Sequence, residues 1–452
     1  LSTRRQRQMC IRDRYYSKGA EIKVFNVMNP NGSVTHDMKT LLGPISVYED
    51  LTDASIHVNV TILDTFGKKE HVPIRSGSKV ELFIETPSGD IDFTDYPLYI
   101  SNIVASGSTE KKDVYVLELE TVGMFNNNLT RLYQKYNGKA DVLIAQFLKQ
   151  LGVPDFWAKT ENLEKPKYPI QFMGNYKRVL QTCISLATKS LPVIEGGTGT
   201  DTSNEGSGGF FFWETITGYY FKSIDNLFKA AKELKRIGKV PKYFQSSTMD
   251  ALDMRNNFRI VSQPSWSTNH NLLQKLMSGQ YASYNTFVDL NGNVHTIPVR
   301  DAKASQQFQP TYDEDGAVLA NEVTHNPEEF LKESRIMLSV IDSRTFDPGE
   351  EFDADSTGKT NQEHVLYKSR IQSRYASLFS EVLTITVPMN VGLSAGSVVE
   401  VEFPRLNIDE PNSGHVNPAS GLYMIKSLSH QLLAEGDYTG LKLVRDSYSE
   451  LS

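Results

Sequence analysis

The sequence has 452 residues, of which 39% are hydrophobic and 22% charged, a balance typical of a globular protein with about three domains. It lacks a run of about 18 apolar residues, which excludes a transmembrane helix, and its formal net charge of −7 argues against a general nucleic-acid binder. The two cysteines, Cys10 and Cys183, exclude a disulfide framework and a cysteine-rich zinc site, and they fit assembly in a reducing cytoplasm.

The beginning of the chain, residues 1–14, is rich in arginine and poor in apolar residues. A basic arm that binds nucleic acid is one interpretation of this composition. A signal peptide is excluded, because the apolar core of such a peptide is missing. The string also resembles translated sequencing-adaptor sequence. We therefore predict that residues 1–19 form a disordered or artefactual tail.

The next hundred residues carry the pattern of β-strands. Ile56, Val58, Val60 and Ile62 alternate with polar or small residues, as in a half-buried strand. Similar runs follow up to residue 122, separated by turn residues rich in Gly, Ser and Pro. Several short strands with regular turn signals predict an antiparallel barrel or sandwich.

From residue 124 the pattern changes to that of helices. Apolar residues at helical spacing predict a helix over 140–151, which Gly152 ends. A second apolar stripe predicts a helix over 175–190. Residues 195–209 are rich in Gly, Ser and Thr, which indicates a mobile surface loop.

Strands are predicted again from residue 210. Residues 210–221, FFFWETITGYYF, indicate a hairpin around a central Thr-Gly pair. Ser223 is placed to cap a helix over 224–237. Residues 284–297 suggest another hairpin with an Asn-Gly turn, and a helix over 367–379 leads into the last strands.

The C-terminal strands repeat the pattern of the N-terminal ones. Residues 77–84, GSKVELFI, match residues 396–403, GSVVEVEF. Antiparallel strands resemble one another in general, but the shared order of four segments favours two copies of one barrel. An oligomer with an odd number of such chains presents twice as many equivalent units. The other matched segments are 56–63 with 382–387, 97–104 with 421–428, and 114–121 with 438–444.

Several segments resemble the central baseplate hub proteins of T-even-type contractile-tailed bacteriophages. Together they cover about residues 20–447, and their order is more specific than any one of them. The segments similar to the first barrel of that family are 43–50, 62–64 and 73–80. Those similar to its second barrel are 209–215, 218–225, 421–430 and 441–446.

The resemblance implies an α+β, mainly β fold, with two tube-like antiparallel β-barrels in one chain and helical and mixed α/β insertions. The implied division is a tail at 1–19, a first barrel at 20–123, a helical insertion with a flexible loop at 124–209, a second barrel at 210–243 and 366–447, and a mixed insertion at 244–365.

The resemblance also implies a structural role without enzymatic activity. A homotrimer of such chains forms a pseudo-sixfold ring, which joins the hexameric tail tube to the trimeric central spike and contacts other baseplate proteins. Phage DNA passes through transiently, so we expect a lumen without strongly basic clusters. We expect no membrane insertion, assembly in the host cytoplasm and a final place in the tail baseplate of the virion. The alternatives are a tail-associated cell-wall-degrading enzyme and a host-surface binding module.

No residue pattern predicts a catalytic, cofactor-binding or metal site, and the sequence leaves the partner interface unknown. Gly196–Gly209 lacks the lysine of a phosphate-binding loop. Asp289–Asn293 and Asp353–Gly358 each resemble part of a calcium loop, but Arg300 and His364 stand where the bidentate glutamate belongs.

The histidines and aromatic residues have simple structural interpretations. The histidines never pair as in zinc hydrolases, and His430 follows a predicted strand as a capping or interface residue. Phe210–Trp213, Tyr219 and Tyr220 could stack on sugars or bases, but a buried barrel face explains them more simply.

Overall fold

The computed structural model describes most of the chain outside the N-terminal tail and the middle of the second half. The described residues are 19–29, 34–65, 67, 74–109, 112–193, 209–245, 258–268, 273, 277, 283–289, 294–299, 335–341, 371, 374–376, 378, 379, 381–404, 417 and 419–445.

Strands dominate the described structure, which confirms the prediction of a mainly β, α+β fold. The N-terminal strands are β1 (Glu21–Met28), β2 (Thr35–Asp37), β3 (Leu42–Asp50), β4 (His57–Asp64), β5 (Lys79–Thr86), β6 (Gly89–Asp92), β7 (Leu98–Thr109) and β8 (Lys112–Glu120). The middle strands are β9 (Arg131–Leu132), β10 (Lys135–Gly138), β11 (Ile170–Met173), β12 (Lys177–Arg178), β13 (Phe210–Thr215) and β14 (Gly218–Ser223). The remaining strands are β15 (Lys242–Phe244), β16 (Ser265–Thr268), β17 (Ser283–Asp289), β18 (Val294–Val299), β19 (Arg335–Ile341), β20 (Glu381–Pro388), β21 (Val398–Glu402), β22 (Gly421–Leu433) and β23 (Gly436–Arg445).

Four helices pack beside these strands. They are α1 (Val122–Leu129), α2 (Ala140–Gln150), α3 (Val179–Ala187) and α4 (Ile224–Arg236), with short 3-10 turns at Lys39–Leu41 and Thr160–Asn162. Residues 371, 374–376 and 378 are also helical. Within the described residues, none of the helices is long and apolar enough to cross a bilayer.

One sheet of 14 strands spans both ends of the chain. Its main path runs β16-β20-β23-β22-β3-β4-β8-β7-β5-β1-β2, with β6, β15 and β21 attached beside it. Strands from the beginning and the end of the sequence therefore share one continuous hydrogen-bonded surface. The two meet where β22 pairs with β3.

The predicted repeat is present as two sets of five strands with the same neighbours. Module 1 comprises β3, β4, β8, β7 and β5 in spatial order, and module 2 comprises β16, β20, β23, β22 and β21. Every neighbouring pair within both modules is antiparallel. Beyond the fifth strand the copies differ, since β1 adds to β5 antiparallel whereas β15 adds to β21 parallel.

The correspondence between the modules extends to single hydrogen bonds. In each module a glycine with positive φ, +88° at Gly77 and +86° at Gly396, precedes the fifth strand. The glycine N–H donates to an isoleucine carbonyl. The N–H of that isoleucine donates in turn to the carbonyl of the serine that follows the glycine in sequence. The bonds are Gly77 N to Ile100 O at 2.7 Å and Ile100 N to Ser78 O at 2.9 Å, and Gly396 N to Ile425 O at 2.9 Å and Ile425 N to Ser397 O at 2.8 Å.

These bonds correct the alignment of β7 with β22 by one residue. The sequence match placed Ile100 opposite Met424, but the structure makes Ile100 equivalent to Ile425. Both strands then bulge at the next residue, Ser101 or Lys426. A Leu-Tyr pair near the start of both strands produced the wrong match, because periodicity alone does not reveal which residue faces the neighbouring strand.

The helical region follows the prediction at α2 and differs at α3. The predicted helix over 175–190 begins only at Val179. Asn175 and Tyr176 have positive φ values of 49° and 56°, which form a tight turn instead of a first helical turn. The Lys177 N–H closes that turn on the Gly174 carbonyl at 2.9 Å.

The aromatic hairpin forms a sheet of its own. Strands β13 and β14 pair only with each other among the described strands, and their turn is Ile216-Thr217, one residue before the predicted Thr-Gly pair. Trp213 packs with α4 and with module 2 residues in one apolar cluster. Ser223 caps α4 as predicted, since its side chain accepts the Asn226 N–H at 3.1 Å.

The predicted domain boundary at residue 244 does not follow the sheet. Strand β16 lies inside the range 244–365, which was predicted as a separate insertion, yet it pairs with β20 of module 2. Strands β17 and β18 form the predicted hairpin near 284–297, and β19 adds parallel to β17.

Several sequence predictions fall outside the described residues. These are the tail at 1–14, the loop at 195–208, the turn at Asn291-Gly292, Arg300, the acidic stretch Asp353–Gly358 and His364.

Candidate assembly surface

The modules are joined by a seam between β3 and β22. The seam pairs Asp50–Ile45 with Ser427–Leu432 in antiparallel register. Val47 and His430 face each other in this register, and both are fully buried. The seam is therefore a closed strand-to-strand junction with apolar packing on one side.

His430 is a structural residue of the seam. It lies inside β22, not after a strand as predicted, and its Nδ1 contacts the Thr439 hydroxyl at 3.0 Å. Burial lowers the pKa of His430 to about 4, so the imidazole is neutral near pH 7.

Glu49 connects three parts of the chain. Although it belongs to β3 of module 1, its carboxylate accepts the Ala395 N–H of module 2 at 2.9 Å and the Ile216 N–H of the aromatic hairpin at 2.8 Å. Burial raises the pKa of this carboxyl to about 7. Removing a charge from water is costly unless the charge is hydrogen-bonded, so these two donors offset part of that cost.

Glu214 makes a second connection of the same kind. It lies in β13 and accepts the Ile56 N–H at 3.2 Å, the Thr121 hydroxyl at 2.9 Å and the Trp157 indole N–H at 2.9 Å. Burial raises the pKa of this carboxyl also to about 7. The hairpin is thus fixed to module 1 by Glu214 and to both modules by Glu49.

The opposite face of the sheet is polar. Its side chains alternate with the buried core residues, and a groove of about 320 Å³ follows the seam on this face. Acidic, basic and neutral polar groups are mixed along it without a basic cluster among its described lining residues. The groove is lined by residues that include Tyr48, Asp53, His57, Thr384, Ser429 and Lys442.

His57 in the groove lies between two carboxylates. Its Nδ1 contacts a Glu120 carboxylate oxygen at 2.7 Å and its Nε2 contacts an Asp53 carboxylate oxygen at 3.0 Å. These bonds, of which the one to Asp53 has the larger effect, raise the pKa of His57 to about 10. An imidazolium between two carboxylates is already neutralised, so it has little positive charge to offer to a phosphate.

The other residues considered from the sequence have structural positions. Phe210–Trp213 and Tyr219 are buried, which agrees with a packing role and leaves no ring face for a sugar or base. Within the described part of the chain, no group of three or more His, Cys, Asp or Glu side chains could hold a metal ion.

Sequence reasoning missed the two carboxylates and the seam. Glu49 continues the inward series of Ile45, Val47 and Leu51. A charged residue at an inward position of an alternating strand signals a buried partner. Glu214 is the only charged residue in the aromatic strand FFFWET. Both signals mark the residues, but neither identifies their partners.

Comparisons with known proteins give similarities among solved structures only. No sequence-family profile matches the chain, and no curated protein matches it. A tail protein from Neisseria meningitidis MC58 is 12% identical, with a TM-score of 0.49 over 95% of this chain and 97% of that one. The 43 kDa tail protein of prophage MuSo2 from Shewanella oneidensis is 12% identical, with a TM-score of 0.48 over 94% and 98%.

A third similar structure is the prophage tail protein gp18 from Listeria monocytogenes EGD-e. It is 9% identical, with a TM-score of 0.46 over 94% of this chain and 96% of that one. Identities this low, with TM-scores below 0.5, do not by themselves assign a function to the chain.

Proposed function

We propose that the chain is a structural baseplate hub protein of a contractile phage tail. Three copies form a pseudo-sixfold ring that joins the hexameric tail tube to the trimeric central spike and lets DNA pass. In this ring modules 1 and 2 build the two tube-like barrels. The insertion at 124–209 and the part of 244–365 that lies outside β16 contact other baseplate proteins.

The observation that carries the proposal is the doubled module. Two sets of five strands share their order, the bulge at Ser101 or Lys426 and their glycine hydrogen bonds. A chain with two nearly equivalent units can match a threefold partner through the whole chain and a sixfold partner through single modules. This physical reason is independent of the sequence resemblance that first suggested the function.

The polar face of the sheet supports passage of DNA without binding. A basic surface would hold phosphates through released counterions, whereas the groove beside the seam mixes charges and neutralises its histidine. We therefore assign this face to the lumen of the ring.

The mass of the assembly in solution tests the proposal. Multi-angle light scattering of the purified protein alone should give three times the chain mass of 50.8 kDa. With a trimeric spike partner it should give that mass plus the mass of the spike. Electron micrographs of that species should show a ring with a central opening. A monomer under both conditions would count against the hub function.

Three assays test the passage of DNA and the two alternative functions. The ring should show no saturable binding of duplex DNA by fluorescence anisotropy at 150 mM salt, about physiological ionic strength. Release of peptidoglycan fragments would favour the cell-wall-degrading enzyme. Tight binding of the isolated chain to host cells would favour the surface-binding module.

A further inference from the structure

We infer that the open edge of β7 in one copy pairs with the open edge of β16 in a second copy. This contact between two chains has the same geometry as the seam between β22 and β3 within one chain. The inference rests on the proposed function, because it identifies the surface by which the ring assembles. Its partner is a second copy of this chain.

The seam supplies the template. In module 2 the long strand β22 pairs along one edge with β23. Beyond the bulge at Lys426, its other edge receives β3 of module 1. The seam is thus a pairing of the fourth strand of one module with the first strand of the other.

Strand β7 is the module 1 equivalent of β22, and its corresponding edge is open. It pairs with β8 from Tyr99 to Thr109, but with β5 only at Leu98 and Tyr99. Among the described residues, nothing pairs with the far edge from Asn102 onward. Unpaired strand edges are templates for another strand.

Strand β16 is the module 2 equivalent of β3, and its outer edge is open as well. It pairs with β20 and ends the path of the large sheet. Within the described structure, each chain therefore has one unpaired edge in module 1, on β7, and one unpaired edge in module 2, on β16.

The equivalence of the modules fixes the register of the contact. Val58 and Leu383 occupy equivalent positions in β4 and β20, and they pair with Val47 and Trp266 respectively. Transfer of the seam register, up to the second bulge of β7 at Ser106, then gives these antiparallel pairs between copies: Ile103 with Thr268, Val104 with Ser267, and Ala105 with Trp266.

The exposure of the edge residues supports this register. Trp266 is 42% exposed, whereas its equivalent Val47 in the closed seam is fully buried. Val104 is 41% exposed, and Ile103 is only partly buried where its equivalent Leu428 is buried. An exposed tryptophan and valine on open strand edges indicate a surface that another chain covers.

A second copy fits both edges better than any other partner. The edges are complementary because each resembles one half of a junction that already exists in the chain. Such a head-to-tail contact is heterologous, so it either closes into a ring or continues as a filament. Three copies close a ring of six modules joined alternately by seams within chains and contacts between chains.

Cysteine cross-linking tests the register. Val104→Cys and Ser267→Cys should be introduced together with Cys10→Ser, while the buried Cys183 is retained. Directly opposed residues of an antiparallel pair have Cα atoms about 4.5–5.5 Å apart, which lies within the range of about 4.4–6.8 Å that a disulfide spans. Mild oxidation should therefore give cross-linked dimers and trimers on a non-reducing gel, and reduction should reverse them.

The controls distinguish this contact from other modes of assembly. The single-cysteine variants should give no ladder above the parent. Pairing Val104→Cys with Ser265→Cys, which lies two positions along β16, should reduce the cross-linked fraction at least fivefold. A trimer by light scattering without the Val104–Ser267 cross-link would overturn the inference and leave the hub function standing. A protein that stays monomeric, with or without the spike partner, would overturn both.

Discussion

At the scale of single residues, the two buried carboxylates, Glu49 and Glu214, connect parts of the chain that are distant in sequence, because each accepts hydrogen bonds from such segments. Each has lost its hydration, so each is held by geometry that only the folded arrangement supplies. Their raised pKa values make this arrangement sensitive to pH.

The first prediction concerns stability between pH 8 and pH 6.5. Because burial raises the pKa of both carboxyls to about 7 from 4.5, these two groups take up protons in this window in the folded chain but not in the unfolded chain. Stability therefore rises as the pH falls, by about 1 kcal/mol for each carboxyl. Melting temperatures by calorimetry should increase accordingly, while below pH 6.5 His430, with a pKa of about 4 in the fold, opposes the trend.

Substitutions assign this pH dependence. Glu49→Gln and Glu214→Gln together should reduce the rise between pH 8 and pH 6.5 by about 2 kcal/mol and leave the part that the raised pKa of His57 contributes, whereas Glu233→Gln on the exposed face of α4 should leave the whole rise unchanged. The double variant should also be less stable at pH 6.5, because an amide nitrogen replaces one acceptor oxygen at each site. An unaltered slope in the double variant would contradict the assignment.

The second prediction is that His57 carries a proton throughout the neutral range. Its contacts with Asp53 and Glu120 raise its pKa to about 10, so its stabilising effect is full below pH 6.5 and is lost only as the pH rises toward 10. The ring resonance, assigned by NMR with a His57→Gln variant, should not shift between pH 6 and pH 8.5. A midpoint near 6.5 would mean that the two carboxylates do not hold the ring in solution.

At the scale of elements, the glycine turn before the fifth strand is present in both modules with different surroundings. A Cβ at Gly77 would meet nothing within 4 Å, whereas one at Gly396 would lie 2.8 Å from the Trp213 ring and 3.4 Å from the Leu51 side chain. The two glycines have nearly the same positive φ, +88° at Gly77 and +86° at Gly396. The backbone cost of alanine is therefore the same at both sites, and only the clash differs.

The third prediction uses this matched pair. Gly77→Ala should destabilise the chain by about 1–2 kcal/mol, the cost of a left-handed conformation for a residue with a side chain. Gly396→Ala should cost about 1–3 kcal/mol more, because the buried indole has to shift. Urea denaturation of both variants measures the difference, and equal losses would show that the Trp213 packing is not rigid.

Much of this element structure could be predicted from the sequence. Period-two alternation with glycine punctuation identified the repeated strands, because one face of each strand is buried and the other is not. The aromatic hairpin showed no alternation, since both of its faces are buried, and its membership of a separate sheet was missed. The helix at Val179 was predicted too long, because the Gly174-Asn175 turn signal was overlooked: asparagine tolerates the positive φ that it has here.

The candidate assembly surface could not be predicted from the sequence, for a different reason. The seam joins β3 to β22, which lie at opposite ends of the chain, and hydrophobic pattern does not encode which strand edges meet. The pattern did show that two equivalent modules exist. The structure then supplied the pairing from which the open edges of β7 and β16 are recognised.

At the scale of the whole molecule, the seam within one chain and the proposed contact between two chains use equivalent strands. Val47 lies in the seam of a single chain, and Trp266 occupies the equivalent position at the edge that awaits a second copy. A substitution at Val47 therefore acts on folding, whereas one at Trp266 acts on assembly. Comparison of the two separates stability from oligomerisation within one protein.

The fourth prediction is that Val47→Asp and Trp266→Asp fail differently. An unpaired carboxylate in the buried seam should cost several kcal/mol, so Val47→Asp should lower the melting temperature and increase amide exchange in both β8 and β23. Trp266→Asp loses a partly exposed ring and its contact with Phe403, which should cost the isolated chain only about 1 kcal/mol. Trp266→Asp should nevertheless reduce the oligomeric fraction measured by light scattering at least tenfold. The control Phe156→Asp, at an exposed ring in the helical region, should leave that fraction unchanged. Because the two edges are equivalent by register, an intact oligomer in the Trp266 variant would show that the ring closes through another surface.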